Sequence, residues 1–288
     1  MGDRLQRVGL HRHPLAGFPT GAPRRCHQGV PGPRAPVRWY QRRGRRLGPY
    51  VSLYRDRGVV LRTYKFGEAD RIVVIVTENH GKVRAVAKGV RRTRSRFGGR
   101  LEPTRHLSLQ LYAGRNLDTV TQVESIDHFR AIREDIDRLG VALTMLEAVD
   151  QTAQDGAGSP GLYRMLVGGL RTLEESPAPL LLPAFLLKLL AQEGFSPELD
   201  RCVVGGEEGP LVSFDTRRGG VVCAVHRGGR PVTPEAVNIM RATLGGGLRT
   251  VLEVPESDVT REVSSLVGRL YEMHVEHRLR SAHLLEGD

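Results

Sequence analysis

Between Asn79 and Leu101 the chain has no acidic residue. Counter-charge is therefore missing where eight basic side chains crowd together: Lys82, Arg84, Lys88, Arg91, Arg92, Arg94, Arg96 and Arg100. Cysteine is scarce, with only Cys26, Cys202 and Cys223. That is too few for a disulfide scaffold, so a reducing cytoplasm is the expected compartment. The longest apolar run, Leu180 to Ala191, is broken by Pro183 and Lys188 and falls far short of the ~20 residues of a membrane span. No continuous apolar segment opens the chain, which argues against a secretory signal. The eight acids of residues 51–130 are scattered, which argues against a hydrolytic metal centre there.

The net charge of +11 is unevenly spread. Residues 1–50 carry 11 Arg and one Asp, residues 51–130 carry 16 basic and 8 acidic, and residues 131–288 carry 16 and 23, so the segments stand at +10, +8 and −7. A basic module is joined to an acidic one, and a polyanion should land on the first. Residues 1–50 hold seven Pro and eight Gly with no Ser and no Lys, the composition of a disordered basic extension. The pattern changes abruptly at Val51, which suggests that Val51 is the initiator and the leader a mis-assigned start.

From Val51 to Phe129 short strands follow one another: Val59 to Tyr64, Arg71 to Thr77, Lys82 to Lys88, Leu107 to Leu111 and Leu117 to Val123. Five short strands predict a small closed module, and the oligonucleotide-binding (OB) barrel is the commonest such choice. Beyond residue 130 the period becomes helical, with Ile136, Leu139, Leu143 and Leu146 on one stripe. Further helices are predicted over Leu162–Leu173, Leu180–Gln192, Pro234–Leu244 and Val259–Leu279. The expected fold is α+β and multidomain: an N-terminal OB-type barrel over 51–129, then a helical domain over 130–288. A Gly-rich, ribbon-like insertion over 200–229 interrupts the helices, with β-like runs at Leu211–Phe214 and Gly220–Val225. Such a small insertion usually needs a staple.

The basic stretch also contains one aromatic, Phe97, beside Gly98 and Gly99. A cationic groove with a stacking ring suits single-stranded nucleic acid, so the expected DNA-binding set is Lys82, Arg84, Lys88, Arg91, Arg92, Arg94, Arg96, Phe97 and Arg100. Arg rather than Lys favours bidentate phosphate contacts. In the insertion, Cys202 and the pair Cys223, His226 sit where a zinc ribbon has its two knuckles, but Gly205 stands where the first knuckle needs its second ligand. Three ligands are too few for a closed structural site. Cys202 and Cys223 are thus expected as small buried residues, and the adjoining Glu207 and Glu208 as solvated acids. The glycines Gly156, Gly158 and Gly161 fall between helices rather than after a strand, which makes them an interhelical loop. His274 and His277 continue the apolar stripe of the last helix and read as a packed pair. No catalytic residue is expected.

Several segments resemble the bacterial recombination mediator family RecO. They are Tyr54-Arg55-Asp56-Arg57-Gly58-Val59-Val60-Leu61-Arg62, Gly67-Glu68-Ala69-Asp70-Arg71-Ile72-Val73, Lys88 through Pro103, and Gly114-Arg115-Asn116-Leu117. The resemblance spans Val51 to about Gly287. It implies a non-enzymatic, nucleoid-associated cytoplasmic protein that binds single- and double-stranded DNA and anneals complementary strands. It also implies partners: RecR, the acidic tail of the single-strand-binding protein (SSB) and, indirectly, the RecA recombinase, in RecF-pathway repair, with no membrane. Many members carry a four-cysteine zinc ribbon, from which this chain departs at Gly205 and His226, so no cofactor is expected to be required; the alternative is a zinc ion on Cys202, Cys223 and His226 completed by a fourth group from elsewhere.

Overall fold

The computed structural model describes residues 52–226 and 228–275, with 279 and 281. The leader 1–50, expected to be disordered, and His277 lie outside the described residues.

Strands β1 (Leu53–Phe66), β2 (Asp70–Thr77), β3 (Gly81–Ala87), β4 (His106–Tyr112) and β5 (Asp118–Asp127) close into a barrel of order β1-β2-β3-β5-β4. Every pairing is antiparallel except β3 with β5. This is the OB-type barrel expected from the strand count. Strand β1 is longer than its apolar run because its first half pairs with β4 and its second with β2. A bulge between Val60 and Arg62 shifts the register there, and such an insertion bends the strand.

Successive side chains of β1 and β2 point to opposite faces, so the two strands serve two cores. Val60, Val73 and Ile75 fill the barrel with Leu107, Leu109 and Leu111. Val59, Leu61, Val74 and Val76 instead join the helical core. The uninterrupted apolar run of β2 follows from cover on both faces, which removes the need for polar alternation.

The helices are α1 (Arg130–Glu134), α2 (Ile136–Thr152), α3 (Pro160–Glu175), α4 (Leu181–Gln192), α5 (Pro234–Leu244), α6 (Leu248–Leu252) and α7 (Asp258–Val275). Helix α2 is capped by Asp135, whose carboxylate accepts from the amides of Asp137 and Arg138. Its buried face carries Ala142, Met145, Leu146 and Val149. Ile136, expected on that stripe, is 77% exposed because it begins the first turn, ahead of the packed face. The last helix is described over Asp258–Val275, and Leu279, expected as its end, is not helical; it is buried, its amide donating to the Glu272 carboxylate at 3.2 Å. No helix among the described residues is long and apolar enough to cross a membrane.

The link between α2 and α3 is pressed backbone to backbone against the β2–β3 turn. A Cβ on Gly158 would lie 2.2 Å from the Asn79 carbonyl oxygen, and one on Gly81 would lie 2.2 Å from that of Ala157. The glycines of this stretch are therefore an interhelical loop that clamps the barrel to the helices. A buried polar joint adds to the clamp. His106 on β4 meets Asp127 on β5 at 2.7 Å through Nδ1 and the Tyr163 hydroxyl of α3 at 2.6 Å through Nε2, while Arg171 of α3 donates to Asp127 at 2.9 Å. Burial pushes the Tyr163 phenol up to about 12, so its hydroxyl stays protonated and able to donate to His106.

The insertion forms a three-stranded sheet of order β7-β6-β8 from β6 (Leu211–Asp215), β7 (Gly220–Cys223) and β8 (Arg230–Pro231). Phe214 and Val221 anchor it in the helical core. Cys202, Val222 and Cys223 form a separate small core, with Val203 and Leu211 against it.

Candidate nucleic-acid interface

The β3–β4 connection, residues 88–105, carries most of the expected cations. Its start is tied to the β1–β2 hairpin: the Gly89 amide donates to the Asp70 carboxylate at 2.7 Å, the Arg91 amide to the Ala69 carbonyl at 2.9 Å, and the Arg91 guanidinium to the Glu68 carbonyl at 3.0 Å. Its end is tied by the Arg71–Glu102 ion pair at 2.6 Å. A short 3-10 turn, Gly98–Leu101, folds the middle of the loop over the barrel. The loop is thus fixed at both ends and in its middle, while Lys88, Arg91, Arg92, Arg94, Arg96 and Arg100 are exposed. None of these six has an ion-pair partner among the described residues.

Three of the nine expected DNA-binding residues are placed otherwise. Phe97 is no stacking ring: it is 2% exposed and packs with Leu101 in the barrel core, while the Arg96 guanidinium lies 4.8 Å from its ring centroid. An isolated aromatic in a charged loop was driven inward by the area it buries. Lys82 is also consumed. Its ammonium donates to the Asp150 backbone carbonyl at 2.7 Å and lies 3.6 Å from the Asp150 carboxylate, with its side chain only 11% exposed. Arg84 sits 3.7 Å from Asp155 and remains half exposed.

The cause lies at the end of α2. Its last carbonyls lack intrahelical partners and carry the negative end of the helix dipole. Asp150 and Asp155 add formal charge to that end, which gathers Arg62 (2.7 Å from Asp150), Lys82 and Arg84. Sequence spacing could not show this, because Lys82 and Asp150 are 68 residues apart.

Aromatic surface is nevertheless present beside the loop. Tyr64 and Phe66, near the tip of the β1–β2 hairpin, are 42% and 45% exposed. The Arg62 guanidinium lies 4.9 Å from the Tyr64 ring centroid. These rings were missed in the sequence, although their alternation with Thr63 and Lys65 marks one strand face.

In the insertion, Cys202, Cys223 and His226 come together as expected, and a fourth group joins them. The Glu207 carboxylate, expected to be merely solvated, lies 3.4 Å from His226 Nδ1 and 3.8 Å from Cys223 Sγ. Two thiols, an imidazole and a carboxylate are a donor set that fits zinc. The Cys202 thiol is raised by burial, but hydrogen bonds from the Cys223, Gly205 and Val204 backbone outweigh this and hold it lowered, at about 7.

Comparison with protein families accounts for both parts of the chain. Residues 51–129 match the family model described as "Recombination protein O N terminal", and residues 133–283 match "Recombination protein O C terminal". The first covers the barrel and the second the helices with their insertion. With its DNA-binding type of barrel and its helical half both matched, this chain belongs to the recombination protein O family, the non-enzymatic mediators of recombination in DNA repair.

Proposed function

We propose that the protein anneals complementary single strands and, together with RecR, helps load RecA onto DNA coated by the single-strand-binding protein. The observation that carries this reading is the set of six exposed cations without counter-charge on a tied loop, next to two exposed rings on the neighbouring hairpin. Annealing requires two phosphate backbones to be neutralised together while base edges stay free. Contacts must therefore be electrostatic and tolerant of sequence.

In this reading Lys88, Arg91, Arg92, Arg94, Arg96 and Arg100 grip phosphates. Tyr64 and Phe66 take the stacking role first expected of Phe97, since any base offers a face to stack on. The acidic helical half repels DNA and serves as the platform for partner proteins, RecR and the SSB tail. In this reading the work is binding and release rather than bond chemistry.

The test is strand annealing by the full chain, with complementary fluorescent oligonucleotides over a salt series, without nucleotide and with chelator present. Rapid annealing that weakens as salt rises is expected. A folded protein that binds both strands and does not speed their pairing would overturn the proposal.

A further inference from the structure

The cluster in the insertion has no part in the cationic face, and its geometry stands apart from any reading of DNA binding. We propose that Cys202, Glu207, Cys223 and His226 hold one structural zinc ion, with Glu207 supplying the ligand that Gly205 cannot.

The ligand atoms of these four residues all lie within 4.8 Å of one another. Cys202 Sγ is 3.6 Å and Cys223 Sγ is 3.2 Å from His226 Nδ1, Glu207 Oε2 is 3.4 Å from His226 Nδ1, and it is 3.8 Å from Cys223 Sγ. A tetrahedral ion with bonds of ~2.3 Å to sulfur and ~2.0–2.1 Å to nitrogen or oxygen has edges of about 3.3–3.8 Å between its ligands. Four of the six ligand–ligand edges therefore already have about the length such a tetrahedron requires, and the other two lie within 4.8 Å.

The position of Gly205 explains how the set is completed. A Cβ built there would lie 2.3 Å from Glu207 Oε1 and 2.3 Å from His226 Cε1. The space that a side chain at 205 would fill is thus taken by the Glu207 carboxylate. A tight turn brings it back: the Gly206 amide donates to the Cys202 carbonyl at 2.7 Å, and the Cys202 amide to the Glu207 carbonyl at 2.8 Å. The adjoining acid behaves differently, since Glu208 turns outward to Arg201 at 3.2 Å.

The insertion also has a use for a staple. The core beside this cluster buries only Cys202, Val222 and Cys223, too little apolar area to hold a knuckle in place by itself. Four protein ligands close the coordination sphere, which makes the site structural rather than catalytic.

The experiment strips the full-length chain with a chelator and titrates it with zinc in competition with a chromophoric chelator, beside a cobalt(II) titration read by absorption. Wild type should take up one zinc per chain and give a tetrahedral thiolate–cobalt spectrum. Glu207→Gln, at a side chain half exposed to solvent, should weaken zinc by about tenfold or more, at least the loss seen when an outer-shell partner is removed, and should alter the cobalt spectrum. Glu208→Gln should bind as wild type does. The proposal is overturned by a wild type that takes up no zinc, by Glu207→Gln binding with unchanged affinity and spectrum, or by equal losses in both glutamate variants.

Discussion

Replacing Arg91, Arg92, Arg94 and Arg96 with alanine tests the cationic loop most directly, because their side chains are exposed and make no ion pair among the described residues. Their removal therefore leaves no buried charge unpaired, and the fold should survive. If each of the six free cations meets one phosphate of a single strand, the logarithm of affinity falls with the logarithm of salt at a slope of roughly −4, at ~0.7 per contact. Keeping only Lys88 and Arg100 brings that slope to about −1.4. Raising salt from about 50 to about 200 mM should then cost the wild type roughly 300-fold in affinity and the variant only ~7-fold. Fluorescence anisotropy with a labelled homopolymer reads both slopes directly. Lys82→Ala is the internal control: its ammonium is already satisfied by Asp150, so the slope should stay at the wild-type value even where thermal stability drops. A quadruple variant with an unchanged slope, or a Lys82 variant that flattens it as a loop residue does, would refute this assignment.

Two further outcomes follow from the same structure. Alanine at Tyr64 or Phe66 should weaken single-strand binding by ~1–3 kcal/mol for each base that loses its stacking partner and leave the unfolding midpoint near wild type, whereas Phe97→Ala should cost ~3–5 kcal/mol of stability; the reverse pattern in paired binding and denaturation curves would restore Phe97 to the interface. Stability should also fall with acid. Burial holds the His106 imidazole below its ordinary value, outweighing Asp127. For Asp127, burial acts upward, but hydrogen bonds from His106 and Arg171 more than offset it and hold the carboxyl below the usual range. In both cases the unfolded chain takes up the proton first, so stability is full above about pH 6.5, declines as His106 protonates on unfolding, and declines again below about pH 4. Urea midpoints that do not move between neutral pH and about pH 5.5 would show that His106 is not held neutral in the fold.

Much of the fold was legible because its signals are local. Alternation in β3 and β4 and the helical period of α3 are set by neighbours a few residues away, and the five-strand count led to the right barrel. What escaped was set by distant chain. Arg55-Asp56-Arg57 has no apolar pattern, yet β4 recruits it as strand. Val59 and Val60 look alike in sequence, and the strand pleat sends them to opposite faces; that both faces are covered, one by the barrel interior and one by the helices, was set by distant chain. The cationic stretch was read correctly as a run and incorrectly as a uniform one, since its strand half meets Asp150 and Asp155 on a helix end. Glu207 was overlooked although a local signal existed: an acid two residues beyond the glycine that stands for a ligand can reach back across a tight turn.

The same acidic helix end that removes Lys82 from the surface also has a functional consequence. By engaging Arg62, Lys82 and Arg84 beside the barrel wall, Asp150 and Asp155 take up positive charge where the barrel meets the helices. On the loop, by contrast, Lys88, Arg91, Arg92, Arg94, Arg96 and Arg100 have no ion-pair partner among the described residues. A polyanion is drawn to where field lines are not already terminated by local acids, so under the proposed function the expected DNA path follows the loop and hairpin, away from the helical half. On that reading, binding DNA on one side and partner proteins on the other would require no movement between the two halves. The clamp of Gly81 and Gly158 and the buried His106–Tyr163 joint hold barrel and helices in one fixed relation, and the division of labour is set by where the acids sit.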